Sequence, residues 1–321
     1  MTVRSRATLA VLLASALPAT LHAQTFPTKP IRALVGFTPG AGVDIAVRLI
    51  APKMSETLGQ SLIVDNRAGA GGNIAAELVA RAPADGYTLL GGGAPAALSQ
   101  SLYSKLGYDL LRDFEPVALI GTVSTLLVVH PSLPAKNIKD LVAIARNRRG
   151  ELAYATTGAG GTPHLTAEML RLQTGIQILH VPYKGTPPAL NDLIAGNVSF
   201  MFANILSVLP HVNSGRLRAL AITSAKRSAI VPSLPTVAES YPGFESGSWY
   251  ALFAPTGTPK DAIARVNDAV NRAMQAPEVR DKFIAQGAEP LTGTPQDATA
   301  YTRAEVIKWA KVVKASGARV D

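Results

Sequence analysis

The sequence predicts an α/β protein built as two lobes. Short apolar runs alternate with amphipathic stretches of helical period. Glycine-rich turns recur where a run ends and a helix begins. A length of 321 residues is more than one core usually fills, at ~100–200 residues per domain. With 47% hydrophobic and 17% charged residues, the chain has the balance of a globular protein rather than a disordered one.

Taken in order, Arg4 and Arg6 precede an uncharged, largely apolar run at 7–17 and a small-residue segment ending at Ala23. That is the layout of a secretory signal peptide, so residues 1–23 are read as an export signal, cut near Ala23/Gln24. The run is too short for a ~20-residue membrane span, and no later stretch is long enough. Strands follow at 31–36, 61–64 and 87–90, separated by helices at 44–58 and 73–81. Gly91, Gly92 and Gly93, a short helical stretch and an irregular segment at 108–116 interrupt the pattern. Runs at 117–120 and 126–129 read as strands entering a second unit. That unit holds helices at 138–146, 163–174, 188–195 and 206–214, with strands at 152–155, 178–181, 198–202 and 217–223. A strand at 249–254 and helices at 260–275, 277–286 and 295–315 close the chain.

The division that follows is discontinuous: residues 24–124 with 250–321 in one domain, and 125–249 in the other. The crossings fall near 121–125 and 246–249. Two hinge segments joining interleaved domains suit a clamshell that closes on a ligand.

Composition excludes several classes. With no cysteine there is no disulfide scaffold, thiolate metal site, iron–sulfur cluster or thiol catalysis, and no lipid attached through an N-terminal cysteine. Without Arg4 and Arg6 the formal charge of +9 falls to +7. The cations are scattered; Arg146, Arg148 and Arg149 form the one tight group, and no aromatic residues interleave with them. Nucleic acid is therefore not an expected partner.

The chemistry concentrates in three turns: F-T-P-G-A-G-V-D at 37–44, R-A-G-A-G-G-N at 67–73 and T-T-G-A-G-G-T-P-H at 156–164. Glycines let the backbone turn tightly with successive N–H groups outward, and a following helix adds partial positive charge at its N-terminus. Such a turn holds an anion without a cationic side chain. None completes the dinucleotide fingerprint: Ile45, Ile74 and Pro163 stand where the last glycine would be. As plain tight turns, they would use Asp44 and Thr162 to cap the first-turn amides. Three such turns at strand ends favour a cleft, because open α/β sheets bind ligands there.

Enzyme signatures are weak. There is no G-x-S-x-G and no H-E-x-x-H, and His22, His130, His164, His180 and His211 include no pair at metal-ligand spacing. His130 and His180 read as packed or capped residues at strand ends. His164 opens the helix after the third turn, where a structural role competes with ligand contact. An exported hydrolase or isomerase using His164 or Asp44 as a base, and an interaction protein with a vestigial cleft, stay open as alternatives.

Several strings, in their order, are specific together: F-x-P-G-x-G-x-D, V-D-N-R-A-G-A-G-G-N at 64–73, D-G-Y-T-L-L at 85–90, H-V-P-Y-K-G at 180–185, R-L-R-A-L-A-I-T-S at 216–224, P-T-V-A-E at 235–239 and A-P-T-G-T-P at 254–259. From about Phe26 onward the chain resembles the solute-binding receptors of tripartite tricarboxylate transporters, the Bug-type family. The resemblance implies a two-domain clamshell like a type II periplasmic binding protein, with one ligand between the lobes. It implies a grip on a carboxylate through backbone amides, hydroxyls and waters. Matched residue by residue, that grip falls on Phe37, Thr38, Gly40, Ala41, Gly42 and Asp44, and on Thr156, Thr157, Gly158, Gly160, Gly161, Thr162 and His164. Gly71 and Asn73 line the cleft, and Asn204 faces it from just beyond a strand. The chain departs from the pattern at Ala41, usually a second glycine, and at Gly161, usually Ser or Thr. Asn204 lies near a position often acidic. The expectations are a periplasmic, soluble, monomeric receptor with a small carboxylate ligand and transient contact with integral membrane transporter components. No catalytic residue, metal or cofactor is expected. With only Arg67 as a cation in the matched loops, a highly charged tricarboxylate is disfavoured.

Overall fold

The computed structural model describes residues 26–320 apart from 159 and 184; the export signal expected at 1–23 lies outside them. The described chain runs β1 (Ile31–Val35), α1 (Gly42–Leu58), β2 (Leu62–Asn66), α2 (Asn73–Ala80), β3 (Thr88–Gly93), α3 (Ala94–Leu102) and β4 (Phe114–Val129). Then follow α4 (Ile138–Asn147), β5 (Ala153–Thr156), α5 (Thr162–Thr174), β6 (Leu179–Pro182), α6 (Thr186–Ala195), β7 (Phe200–Asn204), α7 (Ile205–Asn213) and β8 (Arg218–Ile222). It ends with β9 (Gly247–Pro255), α8 (Lys260–Gln275), α9 (Pro277–Ala285), β10 (Glu289–Pro290) and α10 (Pro295–Ser316).

The alternating α/β plan is borne out. The strand order is β2-β1-β3-β9-β4-β7-β5-β6, with β8 and β10 also paired to β4. β1, β2 and β3 are parallel, as are β5, β6 and β7, while β9 and β4 run antiparallel to their neighbours. Helices cover both faces, so the inner strands are apolar on both sides. Ala33 and Val35 of β1 join Val47, Ile50 and Met54 of α1 and Val266 and Val270 of α8 in one core. Leu34 points the other way, into a core with Val79, Ala97, Leu90 and Phe253. The second half repeats this with Leu127, Phe200 and Leu170 on one face and Leu126, Met201 and Leu193 on the other.

Three expectations are corrected. The runs at 117–120 and 126–129 belong to one 16-residue strand, β4, which runs on through 121–125. Its first part pairs with β9 from Phe114 to Ser124, and its last five residues pair with β7 from Thr125 to Val129. Within it Gly121 is held opposite Tyr250 and Pro290. Gly91, Gly92 and Gly93 likewise extend β3 instead of ending it. They are small because neighbours crowd them: a Cβ on Gly91 would lie 2.9 Å from Val47 Cγ2, and one on Gly93, whose φ is +147°, would lie 1.9 Å from the Trp249 carbonyl oxygen of β9. Asn204 is the last residue of β7 rather than beyond it.

A fifth apolar group ties the halves together. Leu98 and Leu102 of α3, Leu165 of α5 and Trp309, Val312 and Val313 of α10 pack in one cluster. Beside it the Glu305 carboxylate accepts the indole N–H groups of Trp249 and Trp309, each at 2.9 Å, and pairs with Lys308. Among the described residues no helix is long and apolar enough to cross a membrane.

Candidate functional site

The first turn joins β1 to α1 and is held by one carboxylate. Asp44, 1% exposed, accepts the Gly40 N–H at 2.9 Å, Arg48 Nε at 2.9 and 3.0 Å, and Asn66 Nδ2 at 2.8 Å. Asn66 also donates to the Phe37 carbonyl at 2.9 Å and accepts from Arg48 at 2.7 Å. Burial raises the Asp44 pKa, but the Arg48 guanidinium, the Gly40 N–H and Asn66 outweigh it and hold the group below its ordinary value. Its oxygens are thus spent within the turn. The N-cap of α1 is Ala41, which supplies no side-chain cap, so Asp44 does not cap the helix as expected but reaches back to Gly40. The N–H groups of Gly42, Val43 and Asp44 precede the first helical bond, Ile45 N to Ala41 O, and have no acceptor within the helix.

The second turn sits against the first. A Cβ on Gly36 would lie 2.4 Å from Gly72 Cα, and the Phe37 ring closes over Gly72. Gly71 lies beside the Tyr103 hydroxyl at the end of α3. Phe37 and Gly71 share a small cavity with Gly91, Gly92 and Pro95. Asn73 is buried and accepts the Tyr108 hydroxyl at 2.9 Å, which fixes the start of α2.

The third turn, between β5 and α5, repeats the plan of the first with different chemistry. The Gly160 N–H donates to His164 Nδ1 at 3.1 Å, four residues on, just as Gly40 donates to Asp44. Both glycines have positive φ, +77° and +87°, which lets each N–H turn back toward the helix. The N-cap of α5 is Gly161, with no side-chain cap; Thr162 is the first helical residue, and its carbonyl accepts the Thr166 hydroxyl at 2.7 Å. Thr156 is fully buried; its hydroxyl donates to the Gly158 carbonyl at 3.1 Å and meets His180 Nε2 at 2.7 Å. Thr157 and Gly158 are half-buried. The His164 and His180 rings stack 4.1 Å apart at 13°, and Tyr154 stacks on His180 at 5.0 Å. Desolvation lowers the pKa of His164, and desolvation and His164 take His180 down to about 4.

The second and third turns meet around the end of α3. Gly160 lies against Leu102, to whose carbonyl Val320 N donates at 3.2 Å, and the neighbouring Tyr103 reaches Gly71. On the other side Gly42 and Asn204 line one cleft of about 200 Å³ with Ile45, Leu49, Phe283 and Gln286. The Tyr250 hydroxyl presses on Gly42 there, and burial pushes it up to about 12. Thr38 and Gly40 are exposed at the rim. Arg48, Asn66, Tyr103, His180 and Tyr250 are the residues missed from sequence. A signal existed for two of them: Asn66 ends β2, directly before the second turn, and His180 heads the H-V-P-Y-K-G string. Among the described residues no group of three or more His, Asp or Glu is arranged to hold a metal.

The sequence profile described as "Tripartite tricarboxylate transporter family receptor" matches residues 46–318. Protein BugT of Bordetella pertussis is 40% identical over 99% of this chain and 98% of its own. Among solved structures, R. palustris Rpa4515 with adipate is 41% identical, with a TM-score of 0.75, covering 92% of this chain and 99% of that one. MatC from Rhodopseudomonas palustris with bound malate is 33% identical, with a TM-score of 0.72, covering 90% and 100%.

Proposed function

The chain belongs to the tripartite tricarboxylate transporter receptor family, and from that premise we propose that it captures a small carboxylate between its lobes and delivers it to a membrane permease. The observation that carries the reading is the matched pair of turns. In each, a positive-φ glycine is tied to a side chain four residues on, and a helix of 17 or 13 residues starts without a side-chain cap. Each helix N-terminus carries roughly half a positive charge and orphan amides. An anion between them replaces the missing caps, and no covalent step is required. Phe37, Thr38, Ala41 and Gly42 on one side and Thr157, Gly158, Gly161 and Thr162 on the other are the proposed first contacts. Asp44, Thr156 and His164 shape the turns, and Asn204 faces the rest of the ligand.

The cleft shared by Gly42 and Asn204 is lined by apolar side chains and by the uncharged groups of Asn204, Ser207, Gln286 and Tyr250. Arg48 is already engaged by Asp44. A mono- or dicarboxylate fits this lining better than a tricarboxylate, because each further buried charge would need its own partner. Two relatives are described with adipate and with malate, which makes these acids the first probes. A location outside the cytoplasmic membrane, after removal of residues 1–23, and a monomeric state belong to the same reading.

Thermal unfolding of the mature protein against adipate, malate, amino acids and aromatic acids tests it. A ligand at a hundred times its Kd adds about 2.7 kcal/mol, a rise of roughly 4 °C for a chain of this size. Formation of product in the same mixtures would overturn the receptor reading in favour of an enzyme.

A further inference from the structure

The two ligand turns use one construction with two acceptors, and the acceptors differ in how they respond to acid. In the first, Gly40 N–H donates to the Asp44 carboxylate, which Arg48 and Asn66 also bind. In the third, Gly160 N–H donates to an imidazole nitrogen, His164 Nδ1. A nitrogen that accepts carries no hydrogen, so His164 is neutral there with its proton on Nε2. Protonation would place a hydrogen on Nδ1, facing the Gly160 N–H. Two donors cannot share that contact, and the turn must open.

The surroundings favour the neutral ring. His164 lies flat on His180, at 4.1 Å, and His180 lies between it and Tyr154. A second positive ring in that stack would repel the first. The charged groups facing the pair are few. From α5, Glu168 acts on both rings and favours protonation, but its oxygens are bound by the Tyr154 hydroxyl at 3.0 Å and by Arg171 Nε at 2.8 Å. From β5 there is Tyr154, and from β6 His180 itself. Across the contact with α3 and the tail stand Tyr103, half-buried, and the exposed Arg319.

We propose that neutral His164 is the positioning residue of the third turn, an acid-sensitive latch opposite the acid-resistant Asp44 latch, so that its protonation opens one side of the anion grip and lowers affinity. The loss of affinity rests on the receptor reading above; the latch itself does not.

The test uses 15N-labelled mature protein over pH 8 to 5. Expected are the Nε2–H tautomer of His164 at pH 8 and a Gly160 amide resonance that shifts in step with the titration of His164. The Gly40 amide stays put over the same range. With malate or adipate as the probe, binding to the wild type weakens toward tenfold per pH unit below the pKa of His164, the slope for one proton. His164→Leu weakens binding roughly tenfold at pH 8, the worth of one hydrogen bond, and loses the pH slope. His164→Asn restores most of that loss, because its Oδ1 stands where Nδ1 stood, and it removes the pH slope. An Nδ1–H tautomer, a Gly160 amide that ignores the His164 titration, or the same slope in wild type and His164→Asn would each overturn the latch. A protein that binds neither acid at any pH would count against the receptor reading alone, and the amide resonances would still decide the latch.

Discussion

Replacing Asp44 by asparagine tests what holds the first turn. The carboxylate accepts bonds on both oxygens, from Gly40 and Arg48 on one and from Asn66 and Arg48 on the other. An amide offers one oxygen and two hydrogens. In either orientation an N–H that had an acceptor faces a donor. One charge-assisted hydrogen bond lost costs about 1.5–3 kcal/mol. The Arg48 pair adds only about 0–1 kcal/mol, because the arginine side chain is 47% exposed. The expected loss is roughly 2–4 kcal/mol, read as a lower urea midpoint with unchanged slope; Trp249 and Trp309, both buried, report the transition. The folded-state pKa of Asp44 is depressed, so its contribution is complete above the unfolded value of about 3.8 and is lost as pH falls through the folded value. The gap between wild type and Asp44→Asn is therefore constant from pH 5 to 8 and closes below pH 3.8. Equal stability at pH 7, or a gap that stays the same at pH 3, would refute the claim that the charge holds the turn.

Glu305→Leu should cost roughly 2–6 kcal/mol, since it orphans the buried indole donors of Trp249 and Trp309 at about 1–3 kcal/mol each; urea unfolding measures it, with Glu305→Gln intermediate. Gly161→Leu should abolish binding of malate or adipate while moving the melting temperature little. Gly161 has ordinary extended backbone, and a Cβ there meets nothing closer than 3.8 Å, so binding that survived this change would move the anion away from the start of α5. The half-buried His180 acts on the acid side of stability. Because the unfolded chain takes up the His180 proton near 6.5 and the folded protein near 4, stability should be level above pH 6.5 and fall from there toward pH 4. His180→Gln should reduce that slope in chemical unfolding followed across the range.

Much of the fold was legible because strand and helix periods are local. The alternation of Ala33 and Val35 with Leu34 marks a strand buried on two faces before any partner is known. The three glycine turns were legible because glycine followed by a helix start is a local event. What misled was also local. Gly91–Gly93 read as a break, and Gly121 as the start of a crossing, because glycine lowers strand propensity; only the folded chain shows the neighbours that need small residues there, Val47 at Gly91, β9 at Gly92 and Gly93, and the Glu289 carbonyl at Gly121.

The sequence by itself determined the α/β plan, the three glycine turns at helix starts and, through its ordered motifs, the family. Tertiary structure decided which side chains hold those turns. Asn66 reaches Asp44 from 22 residues away, and His180 stacks on His164 from 16 away, each carried there by the pairing of a neighbouring parallel strand. Such meetings depend on strand order and register, which a local pattern does not encode. For that reason Asp44 and His164 could be read from sequence as candidate contacts, while their part in holding Gly40 and Gly160 emerged only from the folded chain.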